Sequence, residues 1–177
     1  EYVLAYGNLV GSFTMHDLLP WDDDIDLLVS WKKYDKFQKF LDHGLKSNGL
    51  EVQVHDTFRV HTMKIYFQNG TQAGLRSWTW PFVDIAFYEQ NDTHVWNQNV
   101  QDAGDMMVPR SWFYPTIRRP FASLWLPAPR NTAMFLQQRY GKLKCIKYAW
   151  NHKDELPWWS ISYAPCEALK PYYPFVW

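Results

Sequence analysis

The spacing of apolar and polar positions changes several times along the chain, and each change marks an element. Residues 2–6 form an apolar run that predicts a short strand, broken by Gly7. Asn8 is placed to cap a short helix reaching about Phe13, and residues 14–21 read as a loop containing Pro20. Residues 24–29 alternate and then run apolar, as a buried strand does. Ser30 can cap the next helix, in which Tyr34, Phe37, Leu41 and Leu45 recur on one face; His43-Gly44 or Asn48-Gly49 stops it. Residues 50–54, 62–67 and 82–87 read as strands, with Asn69-Gly70 as a turn signal. Asn131 caps a helix through Tyr140 that Gly141 ends. The order strand, helix, strand, helix, strands, helix predicts a mixed α/β (α+β) fold: a mixed sheet flanked by helices.

Composition narrows what such a fold serves. The 177 residues carry 18 basic and 18 acidic side chains, and this neutrality argues against a general nucleic-acid binder. A hydrophobic fraction of 47% excludes a disordered tail. No apolar stretch is long enough to span a membrane, and the chain starts without Met or a signal-like segment, so it reads as an excised domain whose anchor lies outside it. The charge is uneven: residues 1–30 hold six acids and no base, whereas residues 106–177 hold three acids and ten bases. A fold that brings the two ends together would set the bases facing the acids. Aromatics make up 19% of the chain, enough for a heavy core and for flat faces that stack on sugars. Cys145 and Cys166 could form a disulfide, and they lie in no zinc-type cluster. Two acceptor triplets, Asn69-Gly70-Thr71 and Asn91-Asp92-Thr93, favour the lumen of the secretory pathway.

The acids concentrate in Pro20-Trp21-Asp22-Asp23-Asp24-Ile25-Asp26-Leu27. On a strand, Asp24 and Asp26 project to the same face, and two converging carboxylates suit Mg²⁺ or Mn²⁺. A solvated acidic loop accounts for Asp22 and Asp23 but not for Asp26, which sits in an apolar run. An EF-hand is excluded, because Leu27 and Lys33 stand where its Gly and Glu belong. Asp84, inside Phe82-Val83-Asp84-Ile85-Ala86-Phe87, is either a structural ion pair or a third carboxylate completing the metal shell or accepting a proton from an attacking hydroxyl. Gly7-Asn8, at a helix start, can offer backbone N–H groups to phosphate. Lys64 and the Arg118-Arg119 pair are candidate phosphate contacts, against the alternatives of a snorkelling lysine and a solvated basic turn. The six histidines show no ligand spacing and read as structural or surface residues.

Tyr6-Gly7-Asn8-Leu9-Val10-Gly11 followed by Leu19-Pro20-Trp21-Asp22-Asp23-Asp24-Ile25-Asp26-Leu27 resembles the signature of the LicD family, which includes bacterial phosphocholine transferases, fukutin and fukutin-related protein. Lys64-Ile65-Tyr66, Val83-Asp84-Ile85 and Arg139-Tyr140-Gly141 agree more loosely. The resemblance covers most of residues 2–141 and implies a nucleotidyltransferase-like catalytic domain over 1–141, with residues 142–177 as an aromatic, Pro-rich extension packing on it. It implies transfer of a phospho-alcohol group, such as ribitol phosphate or phosphocholine, from a CDP-linked donor to a hydroxyl of a glycan or glycoprotein. In that reading Asp24, Asp26 and Asp84 are the catalytic and metal-holding residues for Mg²⁺ or Mn²⁺, and Gly7, Asn8, Lys64, Arg118 and Arg119 bind the donor. The implied location is the secretory-pathway lumen, in the Golgi or ER, as part of a membrane-anchored protein. The chain departs from the family at Gly7-Asn8, where Gly-Thr is common, and at Ser12-Phe13-Thr14-Met15-His16, where a basic residue is usual. It also has no counterpart of the zinc-binding cysteines of fukutin-related protein. The alternative is a catalytically inactive lumenal domain that binds a glycan or a partner through its aromatics; nucleotide addition to RNA fits the neutral charge poorly.

Overall fold

In the computed structural model, the described residues are 2–57, 60–99, 107–141, 145–146, 150–157, 163–164 and 166–176. The elements that position the site come early: β1 (Tyr2–Leu4), α1 (Tyr6–Thr14), β2 (Ile25–Ser30), α2 (Tyr34–Gly44), β3 (Leu50–Thr57), β4 (Val60–Gln72) and β5 (Thr79–Gln90). They form a sheet in the order β1-β2-β5-β4-β3. The β2–β5 pair is parallel and its neighbours are antiparallel, so the sheet is mixed as expected. β6 (His94–Asn97) extends it from the end of β5, and β7 (Val108–Pro109) pairs with β6.

The two central strands are buried on both faces, which explains their nearly continuous apolar runs. Leu28, Ala86 and Tyr88 point into one core with Leu9 of α1, Phe113 of α3 (Arg110–Phe113) and Phe135 and Leu136 of α4 (Thr132–Tyr140). Val29, Ile85, Phe87 and Met63 alternate with them into a second core, covered by the Tyr34, Phe37, Leu41 and Leu45 face of α2. That face is the one the helical spacing predicts. Asn131 caps α4 by accepting a hydrogen bond from Met134 N, and Gly141, at φ 62°, ends the helix as expected.

Three local expectations need correction. Ser30 precedes a 3₁₀ turn, Trp31–Lys33, without a side-chain cap hydrogen bond, and the cap position of α2 is Lys33. The cap of α1 is Ala5, not Asn8: the helix starts at Tyr6, and the Asn8 side chain is used elsewhere. Asn69-Gly70 is no turn between strands. It lies inside β4, where the register with β5 shifts between Tyr66 and Thr71. Gly70 is needed there because a Cβ would sit 2.6 Å from Thr79 Oγ1; such an irregularity uses a turn-forming residue without reversing the chain.

A second hairpin, β8 (Ile117–Phe121) with β9 (Leu124–Ala128), packs beside α1; Ser12 Oγ donates to Pro120 O across 2.8 Å. The C-terminal region contributes short pairs, β10 (Cys145–Ile146) with β13 (Tyr163–Ala164) and β11 (Trp150–Asn151) with β12 (Leu156–Pro157), and ends with α5 (Cys166–Leu169). It returns to the N-terminal region: Val176 N donates to Thr14 O at 2.8 Å, and Trp21 meets Tyr173 edge-on at 5.6 Å. Cys166 is disulfide-bonded. Among the described residues, no helix is long and apolar enough to cross a membrane.

Candidate active site

Strand register assembles the acidic site. Asp26 pairs with Asp84 across the parallel β2–β5 ladder, and Asp84 pairs with Lys64 across the antiparallel β4–β5 ladder. Directly opposed residues share a face, so Asp26, Asp84 and Lys64 form one row across three strands. They lie on the α1 side, because their neighbours Ile85 and Met63 point into the opposite core. Asp24, two residues before Asp26, joins from the strand entrance. One ligand oxygen from each of Asp24, Asp26 and Asp84 lies within 4.8 Å of the others. Two donors about 2.1 Å from one ion are at most about 4.2 Å apart, so slight tightening would let the three share a divalent cation.

The electrostatics ask for positive charge. Asp24 is buried, and among the described residues its Oδ1 has no hydrogen-bond partner. Burial, with the Asp22 and Asp84 charges added, pushes the Asp24 carboxyl up to about 8. Burial together with Asp24 and Asp84 raises Asp26 well above the usual range. Asp22 is raised to about 6 by burial and by Asp23. A cluster that holds protons near neutrality, with one buried oxygen unsatisfied, fits a hard divalent ion well.

Lys64 already supplies one cation. Its Nζ donates to both Asp84 oxygens, at 2.6 and 2.7 Å, and lies 3.9 Å from the centre of the Phe82 ring. It is a partly buried ion pair rather than a lysine snorkelling to the surface.

Asn8 organises the loop that carries the acids. It is fully buried; its Nδ2 donates to Asp22 Oδ2 and Asp24 O, both at 3.2 Å, and its Oδ1 accepts from Asp26 N at 2.6 Å. Gly7 lies against the same loop, where a Cβ would collide with Asp22 Oδ2. Both residues therefore act on the site through the acidic loop. Tyr6, just before them, has φ 42°, a strained setting for a bulky residue, and its hydroxyl accepts from Asn97 Nδ2 at 2.6 Å.

The Arg118-Arg119 pair divides. Adjacent strand residues point to opposite faces. Arg118 Nη1 donates to Trp125 O at 2.8 Å within its own hairpin. Arg119 lies over Phe13, with Nη2 3.4 Å from Ser12 O, one turn of α1 beyond Asn8. Lys142, Lys144 and Lys147 lie outside the described residues, and the described C-terminal bases divide: Lys153 sits in a turn held by Asp23, whereas Arg110 covers Tyr114 and Lys170 pairs with Glu167. Arg139 stands closer, 4.5 Å from the Tyr6 ring centre, beside Tyr140. Burial raises the Tyr140 hydroxyl and Arg139 opposes that shift, while the charges of Asp26 and Asp22 add to it. Arg139 was visible in the sequence only as part of a helix end.

His152, expected to be structural or at the surface, is the other residue the sequence missed. Its Nε2 is 3.5 Å from Asp24 Oδ2, and burial lowers its basicity. No sequence signal links positions 24 and 152; the contact exists because the β11–β12 turn reaches the acidic loop. Asp23 fastens that turn by accepting from His152 N and Lys153 N, each at 3.3 Å.

Three carboxylates converging beside a lysine on a mixed sheet, next to a helix N-terminus, could hold a metal ion close to an anionic group. Sequence comparison identifies the group of proteins: the chain belongs to the LicD/FKTN/FKRP nucleotidyltransferase domain family, which matches residues 1–131, and so to a family of transferases. Over 150 residues, 80% of the chain, it is 26% identical to the ribitol 5-phosphate transferase FKRP of Mus musculus and 25% identical to that of Homo sapiens. The match covers 28% of each of those proteins, so the chain spans little more than a quarter of their length.

Proposed function

We propose that this domain moves a phospho-alcohol group from a CDP-activated donor to a hydroxyl of a glycan or glycoprotein. The reading rests on the convergence of Asp24, Asp26 and Asp84 beside Lys64, in a family whose relatives include ribitol 5-phosphate transferases. Asp24, Asp26 and Asp84 would hold Mg²⁺ or Mn²⁺, which when bound neutralises the donor diphosphate and polarises the phosphorus under attack. Lys64 pairs with Asp84 and fixes its direction. With both oxygens taken by an ammonium, Asp84 is a better charge holder than proton acceptor. The α1 N-terminus, at Gly7-Asn8, faces the same loop and favours phosphate there. Exposed aromatic rings serve as sugar platforms.

The disulfide at Cys166 and the two acceptor triplets support a place in the secretory-pathway lumen, in the Golgi or ER, with any membrane anchor outside this chain. The test is a donor screen with CDP-ribitol, CDP-choline and CDP-glycerol, read as CMP release with Mn²⁺ or Mg²⁺. Release with one donor that disappears in Asp26→Asn supports the reading. Equal release by wild type and Asp26→Asn would overturn the assignment of Asp26, and no release with any donor and acceptor would support a catalytically silent binding domain instead.

A further inference from the structure

The residues that match the family end at 131, yet the structure sets an imidazole nitrogen from beyond that point 3.5 Å from Asp24, one of the three carboxylates. His152 opens the turn between β11 and β12. The turn is built to stay in place. Asp23 accepts from two of its backbone amides, Lys153 O accepts from Gly74 N at 3.0 Å, and Trp78 Nε1 donates to Glu155 Oε1 at 3.2 Å. Within the turn, Asn151 and Asp154 bond each other at 2.7 and 3.0 Å. The His152 ring stands edge-on to Phe82 at 5.6 Å, which sets its plane. Its Nε2 faces Asp24, the carboxylate with the unsatisfied buried Oδ1.

We propose that His152 is a further metal ligand, which turns the three-carboxylate site into a mixed nitrogen–oxygen site favouring transition ions over Mg²⁺. This rests on reading Asp24, Asp26 and Asp84 as metal ligands. The 3.5 Å between Nε2 and Asp24 Oδ2 is a spacing two donors on one ion can adopt. Mg²⁺ gains little from an imidazole, whereas affinity for nitrogen donors rises from Mn²⁺ to Co²⁺.

The test is calorimetric titration of the whole chain with Mg²⁺, Mn²⁺ and Co²⁺, together with the visible spectrum of the Co²⁺ form. His152→Ala should weaken Co²⁺ binding about tenfold or more and alter its spectrum, while Mg²⁺ affinity changes less than about twofold. Lys153→Ala, in the same turn, should change neither. Unchanged Co²⁺ affinity and spectrum in His152→Ala would overturn the proposal while leaving the carboxylate site standing. Wild type that takes up none of the three ions would remove the carboxylate reading itself.

A separate observation concerns the two acceptor triplets, which the sequence does not rank. Asn69 lies in β4 beside the crowded Gly70. Asn91 lies between β5 and β6, where residues 91–94 are all exposed. Its Oδ1 accepts from Thr93 N at 2.9 Å, Thr93 Oγ1 at 3.0 Å and His94 N at 2.7 Å. The amide oxygen is anchored, and among the described residues no hydrogen bond engages Nδ2. The geometry points to Asn91 as an N-glycosylation site, given the lumenal location proposed above. Nδ2 forms a bond to the anomeric carbon of an oligosaccharide and gives up one proton. The bond from that carbon to a lipid diphosphate breaks, and the lipid diphosphate leaves.

The chain, secreted from animal cells behind a signal sequence, should migrate faster after treatment with an Asn-glycan amidase. Asn91→Gln should abolish the shift and Asn69→Gln should keep it. Secreted wild type without a shift, or a shift that survives Asn91→Gln, would overturn the assignment. Because secretion itself supplies the lumen, neither result bears on where the natural protein resides.

Discussion

Lys64 Nζ grips both carboxylate oxygens of Asp84, at 2.6 and 2.7 Å, across adjacent antiparallel strands. The side chains are 13% and 28% exposed, so the pair is partly shielded from water and stronger than a surface ion pair. Lys64→Met should therefore leave an under-compensated carboxylate beside Asp26. We expect a loss of about 1–3 kcal/mol in chemical unfolding, and a fall in turnover of at least about tenfold. Lys64→Arg should recover stability better than activity, because a planar fork cannot reproduce a point charge.

Asn8→Ala removes three hydrogen bonds and leaves Asp26 N without its partner. It should cost about 2–4 kcal/mol by denaturant unfolding and weaken Mn²⁺ binding, although Asn8 holds no ligand atom. Gly7→Ala should act in the same direction through collision with Asp22. Unaltered metal affinity in both variants would show that the loop keeps its shape without them.

The Asp24 carboxyl is raised, chiefly by burial, to about 8. A raised group binds its proton more tightly in the folded state, so its contribution to stability is intact below the unfolded value of 3.8 and is lost as pH climbs through about 8. In chelator, the thermal midpoint of wild type should fall relative to Asp24→Asn between about pH 4 and about pH 8. Adding Mn²⁺ should reverse the order at the upper end, because the ion takes the place of the proton.

Arg139, stacked on Tyr6 beside the acidic loop, and Arg118, bonded to Trp125 O, give opposite expectations. Arg139→Ala should raise KM for the anionic donor several-fold. Arg118→Ala should leave it unchanged, with both effects measured by initial rates.

The elements around the site were legible in the sequence because their signals are local. The period of Tyr34, Phe37, Leu41 and Leu45 shows the face of α2, and Asn131 and Gly141 bracket α4. Asn8 and the Asn69-Gly70 pair misled for a shared reason: each residue type is suited to a cap or turn, and tertiary contacts employed it otherwise. Asn8 bonds residues 14 to 18 positions away, and Gly70 accommodates Thr79 from the next strand.

By itself the sequence determined the strand and helix order, the run of acids from Asp22 to Asp26, the anomaly of Asp84 in an apolar strand, and the family. Those follow from short-range periodicity and from charges placed where burial is costly. Only the tertiary structure decided that Asp84 opposes both Asp26 and Lys64, that Arg118 and Arg119 diverge, and that His152 reaches Asp24. The Asp26, Asp84 and Lys64 row depends on strand register, where a shift of one residue would turn a side chain to the other face, and the His152 contact depends on a chain reversal that joins distant positions.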